Sequence, residues 1–237
     1  MKISEKTQQI LRNFSTINPS ILLNKGHRIT SMSIMRNIIV SSDVEENFPN
    51  KIGIYDLPRF LSNLQMYPEL EFHDDHIMMF SEDRRYEFRT TDEKVIVHPK
   101  KTFKLEGSEF NTDESKECPE VLFSVNLTEA SLSRIKKVST INCLPDYALM
   151  TDGGIIYFVA LDKKNSMSDV SREPVGESTD DFKIYFKSDN FKLYDGTYKI
   201  SVSSISEKGS GLSTFKNENE LLQYWVAIES DSYYNKV

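Results

Sequence analysis

The sequence predicts an α+β chain built from two copies of one domain, on three observations. The tetrapeptide Ser-Thr-Ile-Asn occurs at Ser15–Asn18 and again at Ser139–Asn142, an offset of 124 residues. The same offset carries Ser4 onto Thr128, Glu5 onto Glu129, Leu11 onto Ile135, Phe14 onto Val138 and Ile17 onto Ile141. A chain of 237 residues is also long for one core and fits two domains of about 100–130 residues each.

Each element follows from its local chemistry. Ser4 is an N-cap with Glu5 in the first turn, and Ile10, Leu11, Phe14 and Ile17 form the apolar stripe of a helix that Pro19 ends. "SILLN", "HRITSMS" and "NIIVSSDV" alternate as strands and read as a β-meander. "DLPRFLSNLQMY" is a second helix, capped by Asp56, with Pro58 in its first turn and Pro68 after it. "ELEFHDD", "HIMMFSED" and "YEFRTTDEKVIVHP" read as three further strands. This first domain spans 1–98, and a polar stretch without period, 99–119, reads as a connector.

The second domain, 120–237, opens the order again. "PEVLFSVN" is a strand and "LTEASLSRIKKVSTIN" a helix capped by Thr128, with Leu132, Ile135 and Val138 inward, Ile141 completing the stripe, Ser133 and Lys137 outward, and Arg134 and Lys136 flanking the stripe. "YALMTDG" and "GIIYFVALD" form a hairpin at Gly153-Gly154, and Lys163–Asp181 reads as a long loop. "FKIYFK", "GTYKISVSSISEK" and "YWVAIESDS" are strands, "SDNFKLY" a short helix or turn, and "KGSGLS" a turn.

A net charge of −7 argues against binding nucleic acid over the whole surface, since a polyanion is repelled, but leaves room for a local basic face. The N-terminal stretch lacks the apolar core of a signal peptide, and no run reaches the roughly 18 apolar residues of a membrane span. Cys118 and Cys143 have no metal-type spacing and read as reduced thiols. "NLT" at Asn126–Thr128 matches a glycosylation sequon, without a secretory signal to give it meaning. "HDDH" at His73–His76 offers four metal-type ligands, but between two strands it reads as a hairpin turn. No nucleotide-binding loop or nucleophile–base set stands out, so neither a cofactor nor an enzyme is expected.

Four stretches carry a resemblance that spans nearly the whole chain. "MKISEKTQQILRNFSTIN", "IYDL" at Ile54–Leu57, "DGTYKI" at Asp195–Ile200 and "YWVAIESDS" at Tyr224–Ser232 resemble the DNA polymerase sliding clamps of T-even-type bacteriophages. The resemblance implies the DNA clamp fold, two similar domains each with two helices packed on curved antiparallel sheets. It implies a homotrimer closed head to tail, with helices lining a hole that encircles double-stranded DNA without reading its sequence. The ring would tether the replicative DNA polymerase, be opened by an ATP-driven clamp loader, serve late-transcription factors and act in the cytoplasm of the infected bacterial host, with no membrane partner. The alternative is an interaction scaffold of the same fold with no direct DNA role.

Residue by residue, Arg12 matches a basic position of the family's first helix, Lys136 or Lys137 one in the third, and Lys192 one in the fourth. Lys6, Arg59, Arg134 and Lys187 join them on helix placement alone. At Lys6 the pattern departs, because the family's early basic residue falls where this chain has Glu5. The 124-residue offset pairs Arg12 with Lys136 on the DNA-facing side. A pocket for partner tail peptides under the connector is also implied, with its lining unassigned. Phe103 and Trp225 are its aromatic candidates, although a tryptophan in a late strand reads as core.

Overall fold

A computed structural model describes residues 1–99, 120–203, 211–218 and 222–237. Chain contacts divide it into two compact units, Met1–Phe103 and Lys104–Val237. The connector from residue 100 onward, with Phe103 in it, lies outside the described residues, as does Cys118.

In the first unit, helix α1 (Glu5–Ile17) starts where its cap predicts, with the Ser4 hydroxyl accepting from the Thr7 N–H. Strands β1 (Ile21–Leu23), β2 (Gly26–Met32), β3 (Ile38–Phe48) and β4 (Ile52–Ile54) follow, then α2 (Leu57–Met66), capped by Asp56. The expected meander is corrected here. β2 and β3 form a hairpin, but β1 pairs with β4, a strand the sequence reading passed over. Three residues with Gly53 at their centre are too few to show a period.

Strands β5 (Glu69–Phe72), β6 (His76–Ser81) and β7 (Arg84–Arg89) form an antiparallel sheet. His73–Asp75 make the turn between β5 and β6, where the His73 and His76 rings stack at 4.4 Å. The last predicted strand stops at Arg89, because Asp92 caps a 3-10 turn over Glu93–Val95. The core gathers Leu11 and Phe14 of α1, Leu57, Phe60 and Leu64 of α2, and Ile77, Met79 and Phe88 of the sheet. Phe60 meets Phe88 edge to face at 5.3 Å, a geometry the ring quadrupoles favour.

The second unit begins with β8 (Val121–Leu127) and α3 (Glu129–Ile141). β9 (Asp146–Asp152) and β10 (Ile155–Leu161) turn at Gly153 and Gly154, whose φ angles of +59° and +84° suit a two-residue hairpin. β11 (Ser171–Glu177) and β12 (Asp181–Lys187) follow, and later β13 (Tyr198–Ser203), β14 (Leu212–Asn217), β15 (Leu222–Ala227) and β16 (Tyr233–Asn235). One sheet runs β11-β10-β9-β12-β16, and within this unit a second runs β8-β13-β14-β15. Trp225 is core, 2% exposed.

Three expectations for this unit are corrected. The long loop contains β11, an edge strand whose residues are mostly exposed and which skips Val175 in its pairing, opposite Ile156 and Tyr157. A charged edge strand with a proline at a bulge has no apolar alternation to reveal it. The turn reading of "KGSGLS" ran into β14, which begins at Leu212.

The fourth helix is a single 3-10 turn, Ser188–Asn190, so the described residues hold three α-helices. The chain between β12 and β13 is too short for α2's ten residues with caps. Instead, Phe191 anchors it, with ring centroids 4.9 to 6.1 Å from Tyr147, Phe158, Phe186 and Phe215.

Candidate nucleic-acid interface

The outer faces of the helices decide where a polyanion can lie. On α1, Glu5, Gln9, Arg12 and Thr16 are exposed at helical spacing, opposite the buried Thr7, Ile10, Leu11, Phe14 and Ile17. Glu46 on β3 holds this helix by its start. Its carboxylate accepts the Ser4 N–H at 2.5 Å and the Thr7 hydroxyl at 2.6 Å. Burial would raise the Glu46 carboxyl, but these donors outweigh it and the group lies below its ordinary value. The sequence reading missed this residue, and nothing local could have shown it, since its partners lie about 40 positions away.

α3 begins in the same register, with Thr128 accepting from the Ser131 N–H, yet presents a different face. Its buried residues are Leu132, Ile135 and Ser139, while Val138 is half-buried and Ile141 is 78% exposed. The stripe thus matches that of α1 at an offset of 125, so that α3 is turned by about one residue, roughly 100°. Two predictions change. Ile141 does not complete a buried stripe, and Arg12 has Lys137 as its counterpart on the outer face. Lys136 takes the place of Leu11.

The eight predicted cations separate accordingly. Arg12 and Lys137 are exposed, and among the described residues no ion pair uses either. Lys6 and Lys192 are exposed but each has a contact within the chain, and Lys192 lies beyond the 3-10 turn instead of on a helix. Arg59 lies 5.1 Å over the Phe88 ring and 3.8 Å from Asp56. Arg134 pairs with Glu173 of β11 at 3.0 Å.

Lys187 donates to Asp146 at 2.5 Å, which holds its ammonium above the ordinary value. The Lys136 amine donates to the Leu193 carbonyl at 2.8 Å and lies 3.8 Å from the Asp195 carboxylate. Burial lowers the Lys136 ammonium, and Asp195 works against that shift. The α-helices themselves carry Lys6, Arg12, Arg59, Arg134, Lys136 and Lys137 against only Glu5 and Glu129. In a chain of net charge −7, positive charge is therefore concentrated on them.

No helix among the described residues is long and apolar enough to cross a membrane, and no protein-family model matches the chain. Curated relatives do match over nearly its whole length. The sliding clamp of Vibrio phage KVP40 is 29% identical over 241 residues, covering 97% of this chain and all of the relative. Those of Escherichia phage RB69 and Enterobacteria phage T4 are 24% and 26% identical, each covering 98% of both chains.

Solved structures share the fold at lower identity. The A. fulgidus PCNA bound to the C-terminal region of FEN-1 has a TM-score of 0.63 at 13% identity, covering 96% of each chain. The Entamoeba histolytica proliferating cellular nuclear antigen has a TM-score of 0.59 at 12% identity, covering 94% of each. The architecture is thus the α+β clamp fold, and sliding clamps are non-catalytic processivity factors. Likeness over nearly the whole chain to the sliding clamps of T4-like bacteriophages, together with the clamp fold, supports a processivity clamp of DNA polymerase.

Proposed function

We propose that three copies of this chain close head to tail into a ring around duplex DNA, with the outer faces of α1 and α3 turned to the phosphates. The observation that carries the reading is the equivalence of Arg12 and Lys137, two exposed cations at matching positions on the two 13-residue helices. Sparse cations among small polar side chains screen a phosphate backbone without reading bases, and let it slide. The acidic remainder of the chain repels DNA from every other face.

The ring holds its polymerase by raising effective concentration, so a weak contact suffices for processive synthesis. An ATP-driven loader opens it, late-transcription factors share its outer surface, and it works in the cytoplasm of the infected host. A closed ring is a cyclic oligomer whose interface joins two different surfaces. Light scattering at micromolar concentration should return the mass of three 27.4 kDa chains. A monomer that persists at high concentration would remove the ring from the account.

A further inference from the structure

The ten residues from Ser188 to Thr197 stand where a second helix was expected, and they lack a helix's own hydrogen-bond ladder. Buried backbone groups need partners from somewhere, and here side chains supply them. The Tyr198 hydroxyl donates to the Tyr194 carbonyl at 2.6 Å, and the Tyr224 hydroxyl accepts the Tyr194 N–H at 3.0 Å. The Leu193 carbonyl receives the Lys136 amine. Lys192 lies between Phe191 and Leu193, each 4% exposed, and is itself exposed. Whatever fixes the backbone at Leu193 therefore fixes where Lys192 emerges.

From this geometry we infer that Lys136 is a positioning residue, a strut from α3 that holds the Phe191–Asp195 segment so that Lys192 faces the phosphates. Its position in the burial pattern is that of Leu11, inward of the exposed face. Its side chain is 26% exposed, and its charge is already met by a carbonyl and by Asp195. The neighbouring Lys137 keeps its charge for an outside ligand. The inference rests on the DNA-facing reading of these helices for its purpose, but the strut itself is open to test without DNA.

Amide hydrogen exchange on the whole protein reads the strut directly. A hydrogen bond from a charged donor corresponds to about tenfold to a hundredfold in a local opening equilibrium. Lys136→Met should speed exchange at Phe191–Asp195 by about that factor and leave β9 and β10 unchanged, while Lys137→Met changes neither. Unchanged exchange at Phe191–Asp195 in Lys136→Met overturns the inference. If that variant does not fold, Lys136→Gln, which keeps a donor, should give a smaller increase confined to the same segment. No increase there is equally fatal.

Amine labelling with and without a linear duplex at low salt then separates the two readings. Labelling of Lys137 and Lys192 should fall several-fold when duplex is added, with Lys136 unchanged. Protection of Lys136 equal to that of Lys137 makes it a phosphate contact and refutes the strut. Failure of DNA to protect any of the three counts against the DNA-facing reading and leaves the exchange result to decide the strut.

Discussion

Glu46 and Lys136 are charged side chains largely withdrawn from water, and each is bonded to the backbone of a segment far from it in sequence. Their placement explains what was legible at this scale. Caps were readable, since Ser4, Asp56 and Thr128 act on N–H groups three residues away. Helical spacing also turned Lys137 outward and set Lys136 beside the stripe, whereas the 124-residue offset paired Arg12 with Lys136, because α3 is rolled by one residue relative to α1.

Glu46 gives a prediction whose sign follows from its lowered carboxyl. A carboxyl below its unfolded value, about 4.3, contributes stability that is fully present above that pH and lost as pH falls through the folded value. Glu46→Gln should cost about 1.5–3 kcal/mol near neutrality, the range for hydrogen bonds to a charged group. In thermal melts, the gap between wild type and variant should narrow below about pH 4. A gap of constant size from pH 7 to pH 3 would show that the ionised carboxylate is not what holds α1.

Among the elements, those with a strong period were read correctly and those without one were missed. α1 and α2 show their apolar stripes, and β10 and β12 their apolar runs, so each was placed from sequence. β11 and β4 carry no such pattern. One is a charged edge and the other is three residues long. The expected fourth helix failed on chain length, and the aromatic contacts of Phe191 took over its packing role. Phe191→Ala should therefore destabilise the protein by about 3–5 kcal/mol, as for a buried phenylalanine whose cavity cannot collapse. Urea unfolding checks this, and a loss under about 1 kcal/mol would mean that the segment is not anchored through its ring.

At the scale of the whole molecule, the net charge of −7 and the basic helices are two parts of one design. A protein that held DNA by contact alone would need many cations and would release it steeply with salt. The ring proposed for this chain would need few, because topology would supply the retention. The repeated Ser-Thr-Ile-Asn ends α1 and α3 alike, but it does different work in each unit. Asn18 is buried and donates to the Met32 and Val97 carbonyls, whereas Asn142 is exposed at the end of α3.

The most direct measurement loads the protein onto a nicked circular duplex with its clamp loader and passes the mixture through a sizing column at high salt. Retention on the circle and loss after a single cut that linearises it is the expected result. Equal retention on both forms, or on neither, would contradict encirclement, and the second outcome is what a scaffold without a DNA role would give.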